Sequence, residues 1–246
     1  ASWENPVVAR LAAGDVRPGD FCGLVLNCSW PMPPDLLDRY ERFRAELVEN
    51  MPSEAYVYPG STLHCTICTL RSFTAGPLDA EARDTARALW LPILAEASSS
   101  DNWPRGEFRL SMGKPTLEGA AAIFHFEDLD GAVAQMRTCL RDAITKAGGM
   151  PAEGSDRLRG SALPGSREGE PPPHIPEIVH STVLRWSGNL ADPSGAKESF
   201  DRVASTWEPV TIPVPCARAV FEDVPYMHIP PDNAHIWWES ERSLEK

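Results

Sequence analysis

The stretch from Gly148 to Pro176 constrains this chain more than any other. It holds six Gly and six Pro in 29 residues and carries neither the period of a helix nor that of a strand. Proline removes a backbone donor and fixes φ, and glycine weakens any regular element, so no helix or central strand runs through such a segment. Connections of this length in compact chains are lids or linkers. The expectation is a long mobile connection, residues 148–176, joining two halves of one bilobal domain that spans residues 1–246.

Either side of it, short β-rich runs alternate with amphipathic helices. Phe21 to Cys28 has the composition of a buried strand, and Ser29 to Pro34 is a turn that no helix tolerates inside itself. Leu36, Leu37, Tyr40, Phe43, Leu47 and Val48 then form one helical stripe that stops at Met51-Pro52. Strands follow at Ala55 to Pro59 and Thr62 to Leu70, and a helix at Leu78 to Ala97 with a kink at Pro92. Two more strands, Glu107 to Met112 and Ala120 to Phe126, flank a loop from Gly113 to Gly119, and a helix on Leu129, Val133, Met136, Leu140 and Ile144 ends at Gly148-Gly149. Beyond the connection come a strand at Ile178 to Trp186, a helix at Ser194 to Trp207, and strands at Arg218 to Asp223 and Ala234 to Glu239. This mixture predicts an α+β protein of antiparallel sheets with helices outside.

Composition removes several classes of function. With 42% hydrophobic and 24% charged residues the 246-residue chain buries a sizeable core, while its apolar runs fall far short of the ~18 residues of a membrane span. A net charge of −12 repels a long polyanion, so extended duplex nucleic acid is not an expected partner. Ala1 to Pro6 has neither the basic start nor the apolar stretch of a signal peptide. Cys22 and Cys28 lie too far apart along one strand to bridge, and Cys65 and Cys68 sit inside an apolar strand. All six cysteines therefore read as thiols of a reducing compartment, so the expected location is inside the cell, in the cytoplasm, and the expected state is a monomer.

One short pattern occurs twice, His64-Cys65-Thr66 and His180-Ser181-Thr182, each within a strand and each flanked by aliphatic residues. Residues i and i+2 of a strand share a face, so each motif presents an imidazole beside a hydroxyl while its neighbours pack behind. Six histidines and 11 threonines in 246 residues give about 0.27 chance matches, so a pair in matching contexts is a signal. A histidine with a pKa near ~6.5 serves as acid or base at neutral pH. Two of them opposed across a phosphorus can deprotonate water on one side and protonate the leaving oxygen on the other. The threonine hydroxyls can donate to the non-bridging oxygens. No carboxylate stands at metal-ligand spacing from either motif, and no cofactor is called for. The competing reading makes His64 and His180 core histidines bonded to their own threonines.

In these motifs and in its order of elements the chain resembles the 2H phosphoesterases, which include the 2'-5' RNA ligase-like and cyclic nucleotide phosphodiesterase branches and carry two His-x-Thr/Ser motifs in two related lobes. The resemblance spans most of the chain, from Phe21 to about Trp238. It implies a pseudo-twofold, bilobal fold whose motif strands face a central cleft. His64 and His180 would be the catalytic pair, Thr66 and Thr182 the phosphate donors, and the activity a metal-independent hydrolysis of a 2',3'-cyclic phosphate or 2'-5' phosphodiester in a small nucleotide or RNA end. The alternative is an inactive member that still binds nucleotides or RNA ends.

Further candidates rest on single features. Trp186 shares the nominal parity of His180 and is a base-stacking candidate, as are Trp30 in the Pro-rich turn and Tyr58 before the first motif. Arg71 and Arg185 end the motif strands, but the default for each is a solvated side chain. His228 and His235 flank a turn and invite a zinc-hydrolase reading, with nothing spaced to complete the ligand set.

Overall fold

A computed structural model describes residues 3–156 and 159–240. It is an α+β structure with two sheets. The first half contributes helix α1 (Pro6–Ala12), strand β1 (Gly23–Cys28), α2 (Pro34–Asn50), β2 (Ala55–Val57), β3 (Cys65–Arg71), α3 (Ala80–Ser99), β4 (Phe108–Glu118), β5 (Ala121–Asp128) and α4 (Ala132–Lys146). The connection carries β6 (Ala152–Glu153) and β7 (His174–Ile175), and the second half β8 (His180–Trp186), α5 (Pro193–Ala204), β9 (Val210–Val214), β10 (Ala217–Glu222) and β11 (Ile236–Glu239).

One sheet runs β11-β10-β1-β3-β7-β6 and the other β2-β8-β5-β4-β9, so the two histidine motifs fall on different sheets. Pairing is antiparallel except between β6 and β7, which are parallel. Helices α3 and α4 pack together on the six-stranded sheet, and α2 and α5 on the other. Leu24, Leu26, Cys65, Ile67, Ala219 and Phe221 turn inward with Trp90 and Leu140, while Tyr40, Phe43, Phe124 and Trp207 make a chain of ring contacts with centroids 4.8 to 6.3 Å apart. Burial of these side chains is the main force holding each helix to its sheet, roughly 2 kcal/mol per large apolar residue.

The helical stripes lie where their spacing places them. Leu36, Tyr40, Phe43 and Leu47 are buried on α2, although Val48, at the edge of the stripe, is 56% exposed. Helix α4 starts after Leu129, which is an exposed turn residue and not its first contact. The expected loop at Gly113 to Gly119 is strand for most of its length: β4 runs through to Glu118, with a register shift between Met112 and Pro115 that absorbs the Gly113-Lys114 irregularity. Helix α1 was not anticipated although its signals are local, Asn5 accepting from the amides of Val7 and Val8 and Pro6 occupying the first turn. Edge strand β9 hides behind Pro213, which an edge tolerates.

The connection is tied to the six-stranded sheet. His174 of β7 stands opposite Thr69 of β3, and Arg71, expected in solvent, is 4% exposed and pairs with Glu170 at 2.8 Å. Its guanidinium also donates to the carbonyls of Cys22 and Gly76. Arg71 thus fastens the connection to the end of the first motif strand.

Candidate active site

The two motifs converge on one cavity of about 350 Å³ whose lining includes His64, Thr66, His180 and Thr182. Both histidines stand at the entrance of a strand and not in its middle: β3 begins at Cys65 and β8 at His180. The carbonyl two residues ahead of each histidine can then turn toward its ring. His64 Nδ1 lies 2.7 Å from the carbonyl of Thr62. The carbonyl of Ile178, also two residues upstream, favours the protonated form of His180, whose buried Nδ1 makes no hydrogen bond among the described residues. In His64 the carbonyl at Nδ1 leaves Nε2 as the nitrogen for chemistry.

The motifs are tied to each other as well as to their sheets. The amide of His64 donates to Ser181 Oγ at 3.1 Å, and the amide of Tyr58 to the carbonyl of Val183 at 2.8 Å. Ser181, expected merely to pack behind its motif, therefore orients the other one. Arg137 of α4 holds both from beneath: Nε donates to the Ile67 carbonyl at 3.2 Å, and one terminal nitrogen to those of Thr66 and Ile178 at 3.1 and 3.0 Å.

Each motif strand carries an extra residue at the same place. Thr66 faces Asn27 and Cys68 faces Leu26, which leaves Ile67 unpaired. Thr182 faces Ile123 and Leu184 faces Ala122, which leaves Val183 unpaired. A bulge of this kind reverses the alternation beyond it. The residues brought onto the cavity face are then Thr69 and Arg185, each five positions after its histidine, and both line the cavity. The matched bulges are the local form of the pseudo-twofold relation.

The same reversal moves Trp186 off the cavity. It is fully buried, stacks on Trp3 with centroids 6.5 Å apart, and donates its indole N–H to the Gly119 carbonyl. Trp30 is buried too, bonded to the Ser61 carbonyl and packed with Val220, Met227 and Ile229. Tyr58 lies behind the wall, edge-on to Tyr226 at 5.8 Å. The aromatic residues on the cavity itself are Phe73 and Tyr226, which sequence reasoning missed because both sit in irregular backbone. Arg185 is no solvated arginine: its guanidinium lies 5.2 Å over the Tyr226 ring and its Nε is buried without a hydrogen bond among the described residues. It is the cation nearest at hand for an anionic ligand.

Electrostatics in the cavity disfavour charge on the imidazoles. Burial lowers the pKa of His64. For His180, burial first and then the neighbouring His64 pull the value down to about 4. Both shifts favour the neutral imidazole in the ligand-free protein. His228 and His235 have separate partners, Tyr56 and the Pro225 carbonyl for the first and Asp232 with Asp223 for the second. Among the described residues no three His, Cys, Asp or Glu side chains are grouped to hold a metal ion.

No protein-family model and no curated protein matches this chain. Solved structures do. TT0787 of Thermus thermophilus is 14% identical, with 80% of this chain and 87% of that one covered and a TM-score of 0.47. LigT of E. coli in apo form is 15% identical, with 81% and 86% covered and a TM-score of 0.44. A structure described as a phosphoesterase is 15% identical, with 82% and 88% covered and a TM-score of 0.46.

Proposed function

We propose that this chain is a phosphodiesterase of the 2H type that hydrolyses a 2',3'-cyclic phosphate or a 2'-5' phosphodiester in a small nucleotide or RNA end without a metal ion. One observation carries the reading: two His-x-Thr motifs, on separate sheets and with matched bulges, line a single cavity. In that arrangement one imidazole takes the proton of water while the other gives a proton to the departing ribose oxygen. Thr66 and Thr182 donate to the non-bridging oxygens, and Arg185 offsets their charge. The test is incubation with 2',3'-cyclic nucleotides, 2'-5' oligonucleotides and cyclic-phosphate RNA ends, with products weighed by mass spectrometry and EDTA in a parallel series. Conversion of none of them sinks the reading, and conversion abolished by EDTA sinks the metal-free mechanism.

The lowered imidazole pKa values set the pH dependence. The acid must be protonated and the base neutral, so kcat/KM follows a bell whose limbs belong to the coupled pair. With His180 drawn to about 4 and His64 below its ordinary 6.5, the expected optimum lies on the acid side of 6.5 and activity falls as pH rises toward 8. A profile from pH 3.5 to 8.5 centred at 7 or above contradicts this. The same neutrality favours a second reading, a module that binds a nucleotide or RNA end at neutral pH without turning it over. Binding in the panel with no product at any pH would establish it.

The expected partner is small, and the protein acts on it as a monomer. Donors at contact distance hold one phosphate, while carboxylates beyond the screening length of ~8 Å have little influence. A long RNA must also lie against a surface of net charge −12. Affinity for cyclic-phosphate oligomers therefore stops rising after the first few nucleotides, with a salt dependence of one or two phosphate contacts. Titration of oligomers of increasing length at several salt concentrations checks this. A slope that steepens with length would point to a basic track along the connection. There Arg159 pairs with Asp156 and Arg167 bonds the Pro77 carbonyl, and Arg157 lies outside the described residues.

A further inference from the structure

Glu222, at the end of β10, lines the same cavity and is only 3% exposed. The chain around it is shaped to its carboxyl group. Opposite it on β1 stands Gly23, and a Cβ on that glycine would lie 2.6 Å from Glu222 Oε1, so a larger residue would displace the carboxyl. The amide of Met227 donates to Oε2 at 2.9 Å, and the amide of Tyr226 is directed to the same group. These amides come from consecutive residues with φ of 58° and 60°, in the left-handed region that residues other than glycine occupy at a cost. Strained backbone has been folded round an acid.

Among the described residues no cation balances that acid. Burial pushes the carboxyl up to about 7, opposed only by the two backbone amides. A carboxylate has about four acceptor sites, so capacity remains for donors arriving with a ligand. Its position suits a nucleotide. Strand β10 lies two strands from β3, roughly 10 Å across the sheet, and Glu222 is two residues beyond Val220, which shares a row with Val25 and Thr69. That offset is comparable to the distance from the phosphate of a mononucleotide to the far edge of its base. Phe73 and Tyr226, in edge contact at 4.9 Å, offer aromatic surface to the base on the way.

We propose that Glu222 selects the nucleobase, favouring one whose edge presents two adjacent N–H donors, as guanine does with its N1–H and 2-amino group. A carboxylate accepts such a pair side by side in charge-assisted bonds. Inosine offers one donor fewer, and uracil places carbonyl oxygens where the donors are needed, leaving the buried acid unpaired. The proposal rests on the phosphodiesterase reading in that the phosphate is anchored at the histidine end.

Binding tests it without turnover. The 2'- and 3'-monophosphates of guanosine, inosine and uridine are titrated calorimetrically at pH 8, where Glu222 is ionised, into the intact chain and into Glu222→Gln, and thermal unfolding confirms that the variant is folded. The expected result is at least tenfold tighter binding of guanosine over the other two, and loss of that preference in Glu222→Gln. Gly23→Ala, which displaces the carboxyl but keeps it, is expected to erode the preference as well. Equal affinity of the intact chain for the three bases overturns the proposal, as does a guanosine preference that survives in Glu222→Gln. Turnover of cyclic nucleotides at pH 8 at equal rates whatever the base leaves the phosphodiesterase standing and removes Glu222 from it. Guanosine-selective binding with no turnover of any cyclic nucleotide does the reverse, and no binding of any monophosphate overturns both.

Discussion

Replacing His64 or His180 by alanine is expected to lower turnover of a 2',3'-cyclic nucleotide by roughly 10² to 10⁴, with the double variant little slower than the slower single one. The size follows from the loss of one proton transfer in the rate-determining displacement. The lack of additivity follows because acid and base serve one event, so removing either leaves the other with nothing to complete. What remains in all three variants is the hydroxyls of Thr66 and Thr182 and the cation of Arg185, which line the cavity and on the proposed mechanism are expected still to stabilise charge on the phosphorus oxygens. Neither imidazole is a core group, since both line an open cavity, and the variants are expected to unfold at nearly the temperature of the parent. The measurement is kcat under saturating substrate at the acidic optimum. Full activity in both single variants would remove the two histidines from the mechanism.

Arg137→Met is the second large effect, a loss of about 3 kcal/mol in stability together with a fall in kcat of tenfold or more. Arg137 is 8% exposed and sends its hydrogen bonds to the carbonyls of Thr66, Ile67 and Ile178. One of these, Ile67, is the bulged residue of β3, whose backbone has dropped out of the ladder. Another, Ile178, carries the carbonyl that faces His180. Methionine fills much of the same space and leaves three carbonyls, that of Ile67 buried and those of Thr66 and Ile178 partly so, to find other donors. Arg137 acts on the chemistry only through the strands, so it is a positioning residue, and a purely structural role would not alter the pH profile. Denaturant unfolding gives the stability, and kcat/KM against pH gives the positioning, which is expected to show as displaced limbs. Arg137→Lys should restore less than half of the lost kcat, because one ammonium does not span two strands as a planar guanidinium does. A methionine variant with the parent's unfolding midpoint and pH profile refutes the assignment.

Much of this protein follows from local pattern. The stripe of α2 needed only the 3.6-residue period and ended where Met51-Pro52 said it would. Two His-x-Thr motifs were enough to name four residues that the fold brings to one cavity, because a motif of three residues precedes any irregularity in its strand. Past the third residue that logic fails. The unpaired Ile67 and Val183 reverse the alternation, so strict parity assigned Trp186 to the cavity and Arg185 to solvent, whereas Arg185 lines the cavity and Trp186 is buried behind it. A bulge is decided by which residues of the neighbouring strand are paired, Asn27 and Leu26 in one sheet and Ile123 and Ala122 in the other, and those partners lie dozens of residues away. Glu222 and Tyr226 were invisible for the same reason: an acid at a strand end and a tyrosine in a loop carry no period. The sequence by itself determined most of the elements and the four motif side chains that meet in the cavity. Only the tertiary structure decided which residues surround them, because strand register and loop path are set by contacts between distant segments.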